Sequence, residues 1–194
     1  MKRLLIAGYG DIARRARPLL ESRFEIRVLA RAQGLDLDLP GSLAALEPAD
    51  AVLHCAPPPA SGAADTRTAN LIAALESRRI LPTRIAYIST SGVYGDCGGA
   101  RVDEARAPNP QSERALRRAD AEARLALWCN SHGIALVVLR APGIYAAERL
   151  PLERLRAGTP VLRPEDDVYT NHVHADDLAA ICARALEAEA PAGA

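Results

Sequence analysis

Three groups of residues in this chain of 194 have types and spacings that could do chemistry. The first is Gly8-Tyr9-Gly10-Asp11-Ile12-Ala13, a G-x-G-x-x-A run between an apolar stretch and a helical one. In such a turn the first glycine permits the tight bend. The second lets a pyrophosphate approach the backbone, and the small third residue, Ala13, lets helix and strand pack closely. The free N–H groups and positive dipole end of the helix then face the phosphates. The reading is a dinucleotide site, against a merely structural turn. The second group is Ser89 and Thr90 with Arg114 and Arg118, hydroxyls at the end of an apolar run and two arginines four apart. Residues four apart share a helix face. The pair could hold a ribose, phosphate or carboxylate, or belong to a solvated face with Arg117. The third group is His172, His174, Asp176 and Asp177. Here the histidines are expected on opposite faces of an extended segment and an aspartate at the cap of a helix, so no metal site is expected.

Arg31 lies a little over 20 residues beyond Gly8, where an acidic side chain would bind the ribose 2′-hydroxyl of NAD. An arginine there meets the 2′-phosphate of NADP instead, or lies solvated on a loop. NADP is the expected cofactor, with NAD the other choice.

These groups need elements to position them. Residues 3–7, 24–30, 51–55, 84–89 and 134–140 read as apolar strands. Residues 11–22, 66–78, 112–132 and 176–187 read as helices, with a short helix at 42–46 capped by Ser42. The alternation implies an α/β fold, a doubly wound parallel sheet of Rossmann type, with a binding crevice at the carboxyl ends of the strands. Those ends bring Cys55, Ala56, Pro57 and Ser89 beside the cofactor. Residues 1–145 are expected to form the dinucleotide-binding domain, and 146–194 a small, incomplete C-terminal lobe packed on it, with residues 191–194 frayed.

Composition bounds the partners. The chain has 24 basic and 24 acidic side chains and a formal net charge of zero, which argues against bulk nucleic-acid binding. No run of about 18 apolar residues suggests a membrane span, and the basic N-terminal stretch breaks at Gly8, too early for a signal peptide. Four scattered cysteines (55, 97, 129, 182) without a CxxC suit reduced thiols in the cytoplasm. Lys2 is the only lysine.

At Ile88-Ser89-Thr90-Ser91-Gly92-Val93-Tyr94-Gly95-Asp96 the sequence, taken with the glycine turn, resembles the extended short-chain dehydrogenase/reductase family, which includes the NAD-dependent epimerases and dehydratases of nucleotide sugars. Asp36-Leu37-Asp38 resembles its adenine segment, and Asn70-Leu71-Ile72 its Asn-Leu-Leu helix. Arg140-Ala141-Pro142-Gly143-Ile144-Tyr145 resembles the segment lining the nicotinamide, and Asn171 to Leu178 its late motif. The resemblance implies cofactor contacts from Asp36, Leu37, Pro142, Gly143 and Ile144, and maps the catalytic Ser/Thr onto Thr90. It also maps the family's Y-x-x-x-K onto Arg114 and Arg118, so the Tyr-Lys pair is missing. Residues 106–128 contain no Tyr and no Lys, and arginine, always protonated, is a poor general acid. The implied function is an NAD(P)-binding epimerase/dehydratase-like protein, an oxidoreductase or isomerase acting by hydride transfer on a small or sugar-like substrate. The alternative is a non-catalytic redox sensor or regulatory protein. A homodimer is compatible with the fold.

Overall fold

The computed structural model describes residues 1–166 and 169–187; the C-terminal residues read as frayed lie outside them. Five of the apolar runs form one sheet: β1 (Lys2–Ala7), β2 (Phe24–Leu29), β3 (Ala51–His54), β4 (Arg84–Thr90) and β5 (Ala135–Ala141). Their spatial order is β2-β1-β3-β4-β5, with every neighbouring pair parallel. The helices are α1 (Asp11–Leu20), α2 (Thr66–Ser77), α3 (Glu113–His132), a short α4 (Leu152–Arg156) and α5 (Ala175–Ala185). A separate two-stranded parallel sheet joins β6 (Gly143–Tyr145) to β7 (His172–His174).

Side chains alternate across a strand, and here both faces are covered. Leu4 and Ile6 of β1 pack with Ala13, Ala16 and Leu20 of α1 and Leu178, Ala179 and Cys182 of α5. Leu5 and Ala7 face the other way, onto Leu71 and Leu75 of α2 and Ala121, Leu125 and Trp128 of α3. That double burial is why the strand sequences are apolar without alternation. The expected division at residue 145 falls at the end of β6, whose partner β7 lies beyond it. Helix α5 shares a core with α1.

Three helix ends follow the usual chemistry. Ser112 Oγ accepts the Ala115 N–H at 3.2 Å to start α3, and Gly133 ends it with φ +65°. Asp65 caps α2 by accepting the Thr68 N–H at 3.1 Å. Three expectations need correction. The 42–46 segment is a 3-10 turn over Pro40–Ala45 with no side-chain cap. Ser42 Oγ instead accepts the Asp36 N–H at 2.8 Å and donates to the Asp36 carbonyl at 3.1 Å. The cap of α5 is His174, whose Nδ1 accepts the Asp176 N–H at 3.2 Å, not an aspartate. The rings of His172 and His174 both pack edge-on against Tyr145, at 6.4 and 5.1 Å. Residues two apart on a strand share a face, so the opposite-face expectation had the wrong period.

A buried polar chain joins β3 to the start of α2. Thr68 Oγ1 donates to Asp65 at 2.8 Å and so accepts from His54 Nε2, also at 2.8 Å. This assigns the Nε2–H tautomer and leaves buried Nδ1 without a partner among the described residues. Burial, reinforced by the nearby charge of Arg118, pushes the His54 imidazole down to about 3. An unfolded imidazole takes its proton near pH 6.5, so between there and about pH 3 the unfolded chain binds more protons and stability falls as pH falls. From this residue the urea-unfolding free energy should fall by about 0.7 kcal/mol per pH unit at pH 6.5, steepening toward about 1.4 by pH 5, above the range where the low-lying carboxylates of Asp11, Asp38 and Asp50 protonate. His54→Gln, which keeps a donor for Thr68, should flatten that slope.

Candidate functional site: a dinucleotide cleft at the strand ends

The glycine turn is held by three strand ends at once. Cys55 and Ala56 N–H both donate to the Ala7 carbonyl, at 2.8 and 2.9 Å, and Gly8 N–H donates to Leu29 at 3.0 Å. Gly8 has φ +90°, and a Cβ there would fall 2.5 Å from the Ala56 nitrogen. Both facts demand glycine. At Gly10 a Cβ would meet nothing within 4 Å, so its glycine keeps the space over the start of α1 open. Ile12 and Ala13 are buried beneath the turn and support it. Tyr9 is half-buried, its hydroxyl accepting from Arg17 at 3.2 Å. Asp11 accepts from Arg15 and Arg149, each at 2.8 Å. Burial opposes its ionisation, but those two hydrogen bonds prevail and hold its carboxyl below the usual range. Arg15 also reaches Glu148 and Asp176, so the segment after β6 and the start of α5 are tied to the turn.

One cavity of about 460 Å³ collects most of the expected cofactor contacts. Gly8, Tyr9, Gly10, Arg31, Asp36, Leu37, Cys55, Ala56 and Pro57 line it, together with Asp38 and Arg67. Leu37 is anchored in the core and its carbonyl accepts from Asn70 Nδ2 at 2.7 Å. Asp36 Oδ1 accepts the Asp38 N–H at 3.0 Å. Arg67, which the sequence reading passed over, forks onto Asp38 at 2.8 and 2.6 Å. Its one sequence signal is its place in the first turn of α2. Desolvation, with Cys182 close by, raises the Cys55 thiol well above its ordinary value, so this sulfur stays protonated at neutral pH.

Thr90 ends β4, half-buried, with Oγ1 accepting the Gly92 N–H at 3.2 Å. Ser89 faces the opposite side of the sheet: its hydroxyl donates to the buried carboxylate of Glu122 on α3. Glu122 in turn holds Arg140 of β5 at 2.9 and 3.1 Å. Arg140 donates to Tyr94 Oη at 2.9 Å. This buried pair fastens α3, β4, β5 and the turn after Thr90 together. The expected partnership of Arg114 and Arg118 is not formed. Arg118 is buried and donates to Tyr87 Oη at 3.0 Å and the Ile88 carbonyl at 2.7 Å. Arg114, one turn earlier on α3, is exposed with no side-chain partner among the described residues. Arg117 is not solvated either; it donates to the carbonyls of Gly62 and Ala60 at 2.6 and 3.3 Å. Pro142, Gly143 and Ile144 lie on and before β6, outside the cavity. A Cβ on Gly143 would sit 2.7 Å from the His172 ring. Among the described residues no cluster of metal-ligating side chains forms, and no helix is long and apolar enough to cross a membrane.

Glu122→Ala would leave the Arg140 guanidinium buried without its counter-charge, at a cost of about 3–5 kcal/mol. Thermal unfolding would show it; a loss below about 1 kcal/mol would mean that Arg140 turns to solvent.

Comparison with solved structures gives consistent neighbours. A protein of Methylobacillus flagellatus assigned as an NAD-dependent epimerase/dehydratase is 28% identical with a TM-score of 0.75, over 94% of this chain and 69% of that one. The UDP-glucose 4-epimerase of Thermus thermophilus, in complex with NAD, is 24% identical with a TM-score of 0.76, over 98% and 76%. RMD from Pseudomonas aeruginosa, complexed with NADPH, is 22% identical with a TM-score of 0.75, over 95% and 73%. The last two likenesses speak to fold. No curated protein matches the sequence. The model of the NAD dependent epimerase/dehydratase family matches residues 3–193, and with the parallel sheet and glycine turn in place, the chain belongs to that family.

Proposed function

We propose that this protein binds a nicotinamide dinucleotide, NADP in preference to NAD, in the cleft at the strand ends. In this reading it acts as an oxidoreductase or isomerase on a small or sugar-like substrate. The observation that carries the reading is the single cavity joining Gly8 and Gly10 to Arg31, Asp36 and Leu37. The residues fit such a group. The start of α1 offers unpaired N–H donors over a turn with no Cβ in the way, as a pyrophosphate requires. Arg31, exposed and without a side-chain partner among the described residues, suits a 2′-phosphate. A bound nicotinamide supplies hydride transfer. Thr90 Oγ1 accepts from Gly92, which leaves its own proton to donate to a substrate oxygen. Arg114 stands free at the start of α3 to meet substrate or cofactor oxygens electrostatically. Arg118 acts at one remove, by holding the end of β4 through the Ile88 carbonyl.

One observation favours the second reading, a non-catalytic redox sensor. The two helix positions where the resemblance calls for a phenol and an ammonium hold arginines, one in solvent and one turned into the sheet. Neither can hand over a proton near neutral pH.

Fluorescence titration should give tighter binding of NADPH than of NADH; tighter NADH would remove the NADP preference. Thr90→Ala should slow turnover about 100-fold or more while leaving NADPH binding within about twofold. Unchanged rates of cofactor oxidation would shift the reading to the sensor, for which NADPH and NADP should alter oligomeric state or partner binding by different amounts.

A further inference from the structure

Two arginines and two aspartates share the wall of the cleft between the end of β2 and the start of α2: Arg31, Asp36, Asp38 and Arg67. Their pairing is unequal. Arg67 places Nε and Nη2 on the two oxygens of Asp38, at 2.8 and 2.6 Å, and Nη1 on the Pro57 carbonyl at 3.1 Å. Both carboxylate oxygens of Asp38 are therefore taken by one planar fork, a geometry lysine cannot reproduce. Asp36 is engaged by the Asp38 backbone N–H. The guanidinium of Arg31 has no hydrogen bond or ion pair among the described residues, yet it lies close enough to Asp38 for its charge to be felt there. Asp38 is thus the anion within reach of both arginines, and Arg67 holds it.

We propose that Arg67 sets cofactor preference indirectly: by occupying Asp38 it leaves Arg31 free for the 2′-phosphate of NADP. This rests on the reading of the cavity as the adenosine end of a dinucleotide site. Without Arg67, the Asp38 carboxylate is released beside Arg31. It then pairs with that guanidinium and repels a 2′-phosphate, while a 2′-hydroxyl is little affected because hydroxyls both donate and accept. Arg67 is accordingly a positioning residue acting through Asp38, and the effect should vanish when Asp38 carries no charge.

The experiment measures NADPH and NADH dissociation constants by fluorescence titration for the full chain and for Arg67→Gln, Asp38→Asn and the double variant, with circular dichroism melts to verify folding. Arg67→Gln should weaken NADPH by about tenfold or more and NADH by less than about twofold. The double variant should recover NADPH to within about threefold of wild type. Asp38→Asn alone serves as the reference for the double variant. Equal weakening of both cofactors by Arg67→Gln would make the fork a mere clasp between two loops and overturn the proposal. Failure of the double variant to recover NADPH would overturn it as well. A wild-type chain that binds neither dinucleotide removes the cofactor reading and the proposal together; one that binds NADH as tightly as NADPH removes the NADP preference and the proposal but leaves the dinucleotide site. A wild-type preference for NADPH that survives Arg67→Gln removes the proposal alone.

Discussion

The close approach of β1 to the chain leaving β3 sets the geometry of the whole cleft. One carbonyl, that of Ala7, accepts from both Cys55 and Ala56, and this draws the two strand ends together until no side chain fits at Gly8. The positive φ at Gly8 turns the chain sharply enough to start α1 directly over the sheet. Any other residue there would have to push Ala56 away. That would part β1 from the chain leaving β3, which contributes Cys55, Ala56 and Pro57 to the cavity wall. The shape of the cleft and the packing of the central strands are therefore one constraint, met by one residue without a side chain.

Charge is arranged around that turn in two unlike ways. Asp11 sits in the first turn of α1, where the helix dipole favours an anion but a pyrophosphate would not. Arg15 and Arg149 resolve the conflict by taking its oxygens, and in doing so they fasten the segment after β6 to the glycine turn. These pairs are half-buried to exposed, so each adds little to stability; what they add is position. The Glu122–Arg140 pair is the opposite case. Both side chains are about nine-tenths buried, and their partners include Ser89, the residue before Thr90, and Tyr94, in the turn after it. Such a pair is costly to break and is weak evidence for stability in itself. Its consequence is that the hydroxyl of Thr90 is held on a strand end that cannot shift independently of α3.

The sheet was legible because its signals are local. Strands buried on both faces are apolar without interruption, and a G-x-G-x-x-A turn needs only six consecutive residues to be recognised. What escaped was direction. Spacing by four places Arg114 and Arg118 on one helix face, but periodicity does not say where along that face the helix meets the sheet. Arg118 lies over Tyr87 and Ile88, and Arg114 lies beyond the contact. Ser89 and Thr90 adjoin in sequence yet serve opposite sides of the sheet, because alternation sends Ser89 to Glu122 and Thr90 to the other face. Glu122 was within reach of a careful reading. It falls on the stripe of Ala115, Arg118, Ala121, Leu125 and Cys129, and an acid on a buried stripe must find a counter-charge. The fork of Arg67 on Asp38 had no such signal, since it joins two residues, far apart in sequence, that only the fold brings together.

The sole lysine gives this arrangement its chemical boundary. Lys2 opens β1, in register with Phe24 at the start of β2. The cleft lies at the other end of the same strand, about 17 Å away at the rise of an extended chain. The amino group of Lys2 therefore cannot enter the site, and every cation this chain contributes there is a guanidinium. Guanidinium groups orient carboxylates and phosphates by fixed forks, and they keep their protons throughout. Arg67, Arg117, Arg118 and Arg140 accordingly appear in the structure as fasteners of loops and strand ends. Proton transfer in such a cleft falls to hydroxyls, to carboxylates or to the substrate itself. Thr90 is the hydroxyl that ends β4 with its own proton free. The chemistry open to such a cleft is thus set as much by side chains that hold as by the fold that positions them.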